Sequence, residues 1–146
     1  MAENPAARTP TATLDGSPIP LASVRNHHCH DLAWPTIRCF QTARERDADA
    51  VVTIRELALD STSYVTVFED DNYGGFSMSF SIDQPNLVLV GWNDVITSFK
   101  SLNGGHPKFW ENANYGTPSW QWATSAWVAN IGSGANDKFS SLKDVP

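Results

Sequence analysis

The sequence predicts a mostly β protein, and three features of its second half indicate this. Residues 64–68 and 76–80 alternate between apolar and polar side chains, as strands with one buried face do. Segments rich in Gly and Asn separate these stretches from two further strand candidates at 86–90 and 96–102. Helical periodicity is absent from residue 63 onward. Short strands at this spacing are typical of a β-sandwich or a β-barrel.

The composition fits one domain with an extension and argues against several classes of function. The chain has 146 residues, of which 41% are hydrophobic and six are tryptophans, so a packed core is expected. A formal net charge of −6 argues against a nucleic acid partner, because nucleic acid binding needs clustered Lys and Arg. No apolar run reaches the roughly 18 residues that span a membrane, so no membrane partner is expected.

The N-terminal part lacks the pattern of the second half. Residues 1–20 are rich in Pro, Ala and Thr and lack the apolar segment of a signal peptide, so they predict a flexible tail. Residues 21–61 form an N-terminal extension with no sustained period. We expect this extension to pack against the domain, because Trp34, Ile37 and Phe40 need burial.

One helix is predicted within the extension. Thr42 followed by Glu45 three positions later resembles a capping box and predicts a short helix at 42–50. Residues 51–58 begin with the β-branched run VVTI, so a strand and a second helical turn both stay open there.

The two cysteines, Cys29 and Cys39, are close enough in sequence for a disulfide that closes a small loop, although spacing alone cannot establish it. Cys29 lies in the stretch HHCH at 27–30, which raises a zinc site as an alternative. Zinc needs four converging ligands, whereas neighbours in an extended chain point in opposite directions. Only Cys39 and the remote His106 could add ligands, so we favour the disulfide, with unpaired thiols still open.

The second half contains an internal duplication. The segment FEDDNYGGFSMSF, which begins at Phe68, matches WENANYGTPSWQW, which begins at Trp110, an offset of 42 residues. The segment NDVITS, which begins at Asn93, matches NDKFSS, which begins at Asn136, an offset of 43. Two matching blocks in the same order indicate a tandem duplication.

The repeated Asn-Asp segment is rich in oxygen. It supplies a carboxylate, a hydroxyl and backbone carbonyls, which are the ligands that Ca²⁺ prefers, and it has no imidazole or thiolate for softer metals. Few charged ligands imply modest affinity, suited to calcium-rich surroundings, and we expect a secreted or extracellular protein. The alternative is that Asn-Asp form an ordinary turn and that the hydroxyl residues cap a strand.

The pattern aromatic-x-x-x-x-Tyr-x-Gly at 68–75, followed by Asn/Asp-Asn/Asp-x-x-Ser/Thr-Ser, resembles the βγ-crystallin family, in particular its microbial calcium-binding members. The resemblance covers residues 64–145, with four matched blocks in the right order. It implies a mostly β domain at 62–146 in which two Greek-key motifs form a sandwich, preceded here by an extension with a short helix.

The resemblance also implies two calcium sites that lie side by side, each with ligands from both motifs. The expected ligands are the side-chain oxygens of Asp94 and Asp137, the hydroxyls of Thr97 and Ser140, and the backbone carbonyls of Val95, Lys138, Glu69 and Glu111. The residues expected to support these loops without touching metal are Ser98, Ser141, Asn93 and Asn136.

The second hairpin departs from the family pattern, because Thr117 stands where the first hairpin has Gly75. The Gly permits a positive φ angle, which a Thr adopts only at a cost. Either Gly116 takes up the bend one residue early or this hairpin is built differently, and Glu111 is the ligand that this affects.

Two other clusters have simpler interpretations. The acidic run at 69–71 lies at a hairpin tip, where we expect solvated charges rather than an acid–base pair. Trp120, Trp122 and Trp127 could form a sugar-binding platform, but Trp120 and Trp122 alternate in phase and suit a sandwich core. A carbohydrate partner would rest on these tryptophans alone.

No enzyme is expected, because the sequence has neither a Gly-x-Ser-x-Gly elbow nor a phosphate-binding loop. The runner-up to calcium binding is a secreted protease inhibitor or killer-toxin-like protein, since the resemblance includes small microbial proteins of both kinds. An inhibitor needs an exposed, braced loop, and both cysteines lie outside residues 62–146. The sequence identifies no protein partner.

Overall fold

The computed structural model describes residues 9–58 and 62–146, which form two β-sheets and one α-helix. The strands are β1 (Thr11–Leu14), β2 (Ser17–Ile19), β3 (His28–His30), β4 (Thr36–Phe40), β5 (Val65–Phe68), β6 (Ser77–Phe80), β7 (Ser98–Ser101), β8 (Pro107–Asn112), β9 (Gly116–Gln121), β10 (Trp127–Val128) and β11 (Ser141–Asp144), and the helix is α1 (Ala43–Glu56). Within these described ranges, no helix has the length and apolar character that crossing a bilayer requires.

Strands β5 to β11 form two Greek-key motifs, as the family resemblance implies. In the first motif β5 pairs with β6 and β7, and in the second β8 pairs with β9 and β11. The third segment of each motif crosses to the other sheet, so that β10 pairs with β7 and Gln84 bridges to Leu142 of β11. This exchange interlocks the motifs, and the mostly β Greek-key sandwich is confirmed.

Aromatic side chains fill the core between the two sheets. Phe109 and Phe139 are fully buried and their rings stack with centroids 4.4 Å apart. Trp120 and Trp122 pack against Phe139, with ring centroids at 5.4 and 6.5 Å. The core interpretation of these two tryptophans is therefore confirmed, whereas Trp127 is 61% exposed.

The N-terminal extension packs on the domain, as expected, and it does so by continuing the first sheet. Strand β3 pairs in parallel with β6 and antiparallel with β4, which gives the order β10-β7-β5-β6-β3-β4-β1-β2. Ile37 is fully buried and Trp34 packs against the same core. A disulfide joins Cys29 to Cys39, which face each other across β3 and β4, so that prediction is confirmed.

The structure differs from the flexible tail predicted at 1–20. Residues 11–19 form β1 and β2, because β1 finds a parallel partner in β4 and buries Ala12. Residues 1–8 lie outside the described residues. The domain boundaries at 20/21 and 61/62 stay a prediction.

Helix α1 begins where the capping box predicts. The Thr42 hydroxyl accepts from the Glu45 N–H at 3.1 Å and donates to the Glu45 carboxylate at 2.9 Å. The helix runs on to Glu56, so the β-branched residues take the helical alternative. Thr53 is fully buried in that half and bonds to Arg38 of β4, so a tertiary contact outweighs the local preference.

The strand predicted at 86–90 is wrong, because Leu87–Val90 is a 3₁₀ turn. The Asn86 side chain accepts from the Val88 N–H at 3.1 Å, which caps the turn. Gly91 ends it with a φ of 77°. An apolar run of four residues does not by itself distinguish a strand from a buried turn.

Candidate metal centre

Each motif carries a folded hairpin that a buried serine holds. In the first, the Ser98 hydroxyl donates to the Asp70 carbonyl at 2.6 Å and accepts from the Tyr73 N–H at 3.1 Å. The second motif repeats both bonds at 2.8 and 3.1 Å, with Ser141, Asn112 and Tyr115. These bonds match the supporting role expected of the two serines.

The second hairpin is built differently from the first, which is one of the two alternatives that the sequence left open. Gly75 has a φ of 76°, whereas Gly116 has a φ of −80° and Thr117 is not among the residues with positive φ. Strand β9 begins at Gly116 and continues through Thr117, whose carbonyl accepts from the Asn112 side chain at 2.9 Å. Gly116 therefore does not take up the bend.

The two Asn-Asp loops lie next to each other and exchange backbone hydrogen bonds. The Asp94 N–H donates to the Phe139 carbonyl at 2.9 Å, and the Asp137 N–H donates to the Ile96 carbonyl at 3.2 Å. The φ angles of Asp94 and Asp137 are 56° and 55°, in the left-handed region that Asp tolerates better than most residues. Each motif thus positions the aspartate of the other.

Each aspartate carboxylate lies beside a hydroxyl of the other motif. The Ser140 Oγ is 3.5 Å from Asp94 Oδ1, and the Thr97 Oγ1 is 3.2 Å from Asp137 Oδ1. Both aspartates are exposed, and both hydroxyl residues are half-buried. We call these the crossed oxygen pairs.

A cavity of about 300 Å³ opens at the loops and contains five of the eight predicted ligand residues. It is lined by Asp94, Glu111, Asn112, Asp137, Lys138 and Ser140. Thr97, Val95 and Glu69 are not part of its lining. Thr97 lies close to it through its bond to Asp137, and the Val95 side chain is buried.

The two predicted glutamates occupy equivalent places beside the hydroxyl residues. The Ser140 N–H donates to the carbonyl of Trp110, which precedes Glu111, at 2.8 Å. The Thr97 N–H donates in the same way to the carbonyl of Phe68, which precedes Glu69, at 3.0 Å. The altered second hairpin therefore keeps Glu111 in register with its counterpart.

The sequence pattern does not predict Asn112 at the cavity. Its carbonyl accepts from Ser141, and its side chain bonds to Thr117. Its position two residues after the hairpin aromatic is occupied in the first motif by Asp70, which bonds to Ser98. The internal repeat is thus the signal that could have identified it.

The stretch HHCH does not offer a zinc site. Both cysteines belong to the disulfide. The His28 Nδ1 hydrogen bonds to the Ser77 hydroxyl at 2.8 Å, and the His30 Nε2 bonds to Asp49 at 2.7 Å. Across residues 9–58 and 62–146, no three His, Cys, Asp or Glu side chains form a group that could hold a metal. The Asn-Asp loops instead present carboxylate, hydroxyl and carbonyl oxygens.

Solved structures show what this chain is similar to. A βγ-crystallin domain from Clostridium beijerinckii is 33% identical with a TM-score of 0.50, and the match covers 56% of this chain and 95% of that one. A βγ-crystallin from Ciona intestinalis is 25% identical with a TM-score of 0.51, covering 56% and 98%. A domain from Flavobacterium johnsoniae is 28% identical with a TM-score of 0.50, covering 56% and 93%.

No protein-family model and no curated protein matches the chain. The structural matches agree with the features found in the chain itself, namely two interlocked Greek keys, two serine-held hairpins and two paired Asn-Asp loops. The Clostridium domain combines substantial identity with nearly complete coverage of its own length. The chain belongs to the βγ-crystallin family.

Proposed function

We propose that this protein binds two calcium ions at the paired Asn-Asp loops and that the ions stabilise its fold. The crossed oxygen pairs carry the proposal. Two oxygens that bind one Ca²⁺ at about 2.3–2.6 Å and at right angles lie about 3.3–3.7 Å apart. The Ser140–Asp94 and Thr97–Asp137 oxygens are 3.5 and 3.2 Å apart, close to that separation.

Backbone carbonyls and water would complete each shell, as is usual for calcium. The first site contains Asp94, Ser140 and the carbonyls of Glu111 and Lys138. The second contains Asp137, Thr97 and the carbonyls of Glu69 and Val95. The residues of the first site all line the one cavity, which supports this grouping.

The left-handed backbone at the two aspartates also supports the proposal. Non-glycine residues in this conformation are uncommon and concentrate at functional sites, where the surrounding structure holds them. Here the same conformation occurs at Asp94 and Asp137, and in both cases it brings the carboxylate to a hydroxyl of the other motif.

One carboxylate per ion implies modest affinity, because calcium affinity rises with the number of charged ligands. Such affinity suits calcium-rich surroundings, and the disulfide suits an oxidising compartment. Both features fit a secreted or extracellular protein. The proposal assigns a binding role to these loops and no catalytic step.

Calcium would stabilise the fold by mass action. Each site takes ligands from both motifs, so the ligands converge only in the folded chain. An ion that binds only the native state adds about 2.7 kcal/mol to the free energy of unfolding when its free concentration is 100 times Kd.

Calorimetric titration of chelator-treated protein with Ca²⁺ tests the proposal, with thermal unfolding before and after. We expect two binding events and a higher Tm with calcium. The Asp94→Gly, Asp137→Gly double variant should lose both effects, since Gly adopts the left-handed backbone without strain and removes the side-chain oxygen. Asp71→Asn, at an exposed hairpin residue, is the control. Absence of heat in the unaltered protein would leave the loops as turns and overturn the proposal.

A further inference from the structure

A groove of about 810 Å³ lies in the N-terminal extension, between α1 and the strands β1 and β4. All its lining residues lie between Thr13 and Val52, so it shares none with the calcium loops. The related Clostridium domain is almost fully covered by 56% of this chain, so it is shorter by about the length of the extension. The groove therefore belongs to a part of this protein for which this shorter domain has no room.

A hydrogen-bonded network forms one side of the groove. The Leu32 N–H donates to His30 Nδ1 at 3.2 Å, so the hydrogen of the neutral ring is on Nε2, which donates to Asp49 at 2.7 Å. Burial lowers the pKa of His30, which keeps the ring neutral near pH 7. The Arg38 guanidinium lies 3.6 Å from Asp49 and is the cation that balances it.

Two further carboxylates, on different elements, line the groove. Asp15 belongs to the turn between β1 and β2, and Glu45 belongs to the first turn of α1. Both are exposed, and neither forms an ion pair with a described residue. Since Arg38 and Asp49 compensate each other, the groove has a net charge of about −2.

Apolar side chains line the same groove. Phe40 of β4 lines the groove and stacks on His30 beneath it, with ring centroids 6.3 Å apart. Ala48 and Val52 of α1 face the same space from the helix, and Val52 is 45% exposed. Apolar walls with a few fixed polar groups are typical of small-molecule sites, as is a volume of roughly 300–1,000 Å³.

We propose that this groove binds a small organic ammonium ion. The apolar body of the ligand lies against Phe40 and Val52, and its ammonium group lies between Asp15 and Glu45. An anion is disfavoured by the same two carboxylates, and a neutral apolar molecule gains nothing from them. A bare metal ion would gain nothing from the apolar walls.

The test is a titration of ¹⁵N-labelled, calcium-saturated full-length protein with phenethylammonium, followed by amide chemical shifts. The matched probes are 2-phenylethanol, which is neutral, and 3-phenylpropanoate, which is an anion. We expect phenethylammonium to shift amides of β1, β4 and α1, and to bind at least roughly fivefold more tightly than the alcohol. Added salt should weaken the ammonium ion alone.

A double variant, Asp15→Asn and Glu45→Gln, separates charge from shape. Asn tolerates the positive φ of residue 15, and Gln preserves the capping box, so the fold is kept. Affinity for phenethylammonium should fall roughly fivefold to the level of the alcohol. The control double variant, Asp71→Asn and Glu56→Gln, changes net charge equally outside the groove and should bind as the unaltered protein does.

Three results would overturn the proposal. They are an absence of shifts in the groove, equal binding of the ammonium ion and the alcohol, and equal loss of affinity in both double variants. Because calcium is held saturating and the groove is separate from the loops, none of these results bears on calcium binding.

Discussion

The left-handed conformation at Asp94 and Asp137 links sequence to site at the scale of single residues. Most side chains are strained there, at a cost of about 1–2 kcal/mol, but Asp and Asn are tolerated because their short polar groups bond locally. The conformation turns each carboxylate toward the other motif, where a hydroxyl lies within 3.5 Å. Asn or Asp at this position of the motif therefore serves two purposes. Each tolerates the left-handed backbone, and each provides a side-chain oxygen.

Asp31 presents a different residue-scale feature, a fully buried carboxyl. Its Oδ1 accepts from the Ser81 N–H and hydroxyl at 2.7 and 2.6 Å, whereas its Oδ2 has no hydrogen-bond partner. Burial outweighs these bonds and raises the pKa of Asp31 to about 7. The folded protein therefore favours the protonated form at mildly acidic pH.

We predict that Asp31 lowers the stability of the protein as pH rises from about 4 to about 7. A carboxyl whose pKa is raised on folding adds stability below its unfolded pKa of about 4. That stability is lost as pH rises through its folded pKa of about 7. Asp31→Asn keeps an acceptor for Ser81 and cannot ionise, so its free energy of unfolding should lack this decline. Denaturation between pH 4 and 8 measures it, and parallel profiles for both proteins would contradict the prediction.

The hairpins are the elements that fix the loops in place. Ser98 and Ser141 are fully buried, and each bonds simultaneously to a carbonyl and an N–H of its own hairpin. Because both partners are backbone groups, no other part of the chain substitutes for the hydroxyl.

We predict that Ser98→Ala and Ser141→Ala each reduce the free energy of unfolding by about 1–3 kcal/mol, the range for leaving buried polar groups without partners. Equilibrium denaturation measures the loss. Ser133→Ala, at an exposed residue, is the control and should change stability little. A loss below about 0.5 kcal/mol in both variants would show that the hairpins hold without these bonds.

A close approach between the extension and the end of the turn Leu87–Val90 occurs at a glycine. Gly91 has a φ of 77°, and a Cβ there would lie 2.9 Å from the Leu21 carbonyl oxygen. Gly104 has a nearly equal φ of 75° and open space around it. Substitutions at these two glycines therefore share the backbone strain, and only the one at Gly91 also disturbs the contact with the extension.

We predict that Gly91→Ala destabilises the protein more than Gly104→Ala does. Both variants place a side chain in the left-handed region, at a cost of about 1–2 kcal/mol. Only Gly91→Ala also pushes the 3₁₀ turn Leu21–Asn26 away from the turn Leu87–Val90. Urea denaturation of both variants gives the difference, and equal losses would show that the extension adapts freely.

The second half of the fold could be predicted from sequence because its signals are local. Alternation marks 64–68 and 76–80, where β5 and β6 form, and the repeat marks the second motif. The extension could not be predicted in this way, because β3 has three residues and gains its partners from β4 and β6. Residues 51–56 likewise owe their helix to tertiary contacts.

The candidate ligands could also be named from the sequence through the family resemblance, because the hairpins and the Asn-Asp segments that contain them are short, recognisable motifs. The pairing of Asp94 with Ser140 across 46 residues could not be derived from spacing. The family resemblance implies only that each site takes ligands from both motifs, and which aspartate meets which hydroxyl depends on the way the two motifs interlock. The groove in the extension gave no sequence signal, because its walls come from β1, β4 and α1, which meet only in the folded chain.

At the scale of the whole molecule, the duplication makes two crossed oxygen pairs that cannot exist apart. Each motif supplies the aspartate of one crossed oxygen pair and the hydroxyl of the other pair. The extension enlarges the first sheet and adds a groove of its own. The central claim is that each calcium site takes its carboxylate from one motif and its hydroxyl from the other.

Calorimetric titration of two double variants with Ca²⁺ tests this claim most directly. Asp94→Gly with Ser140→Ala removes two ligands of one proposed site, whereas Asp94→Gly with Thr97→Ala removes one ligand from each. We predict one remaining binding event for the first variant and a severe weakening of both for the second. Equal binding in the two variants, or better binding by the second, would show that each motif holds its own ion and would contradict the account.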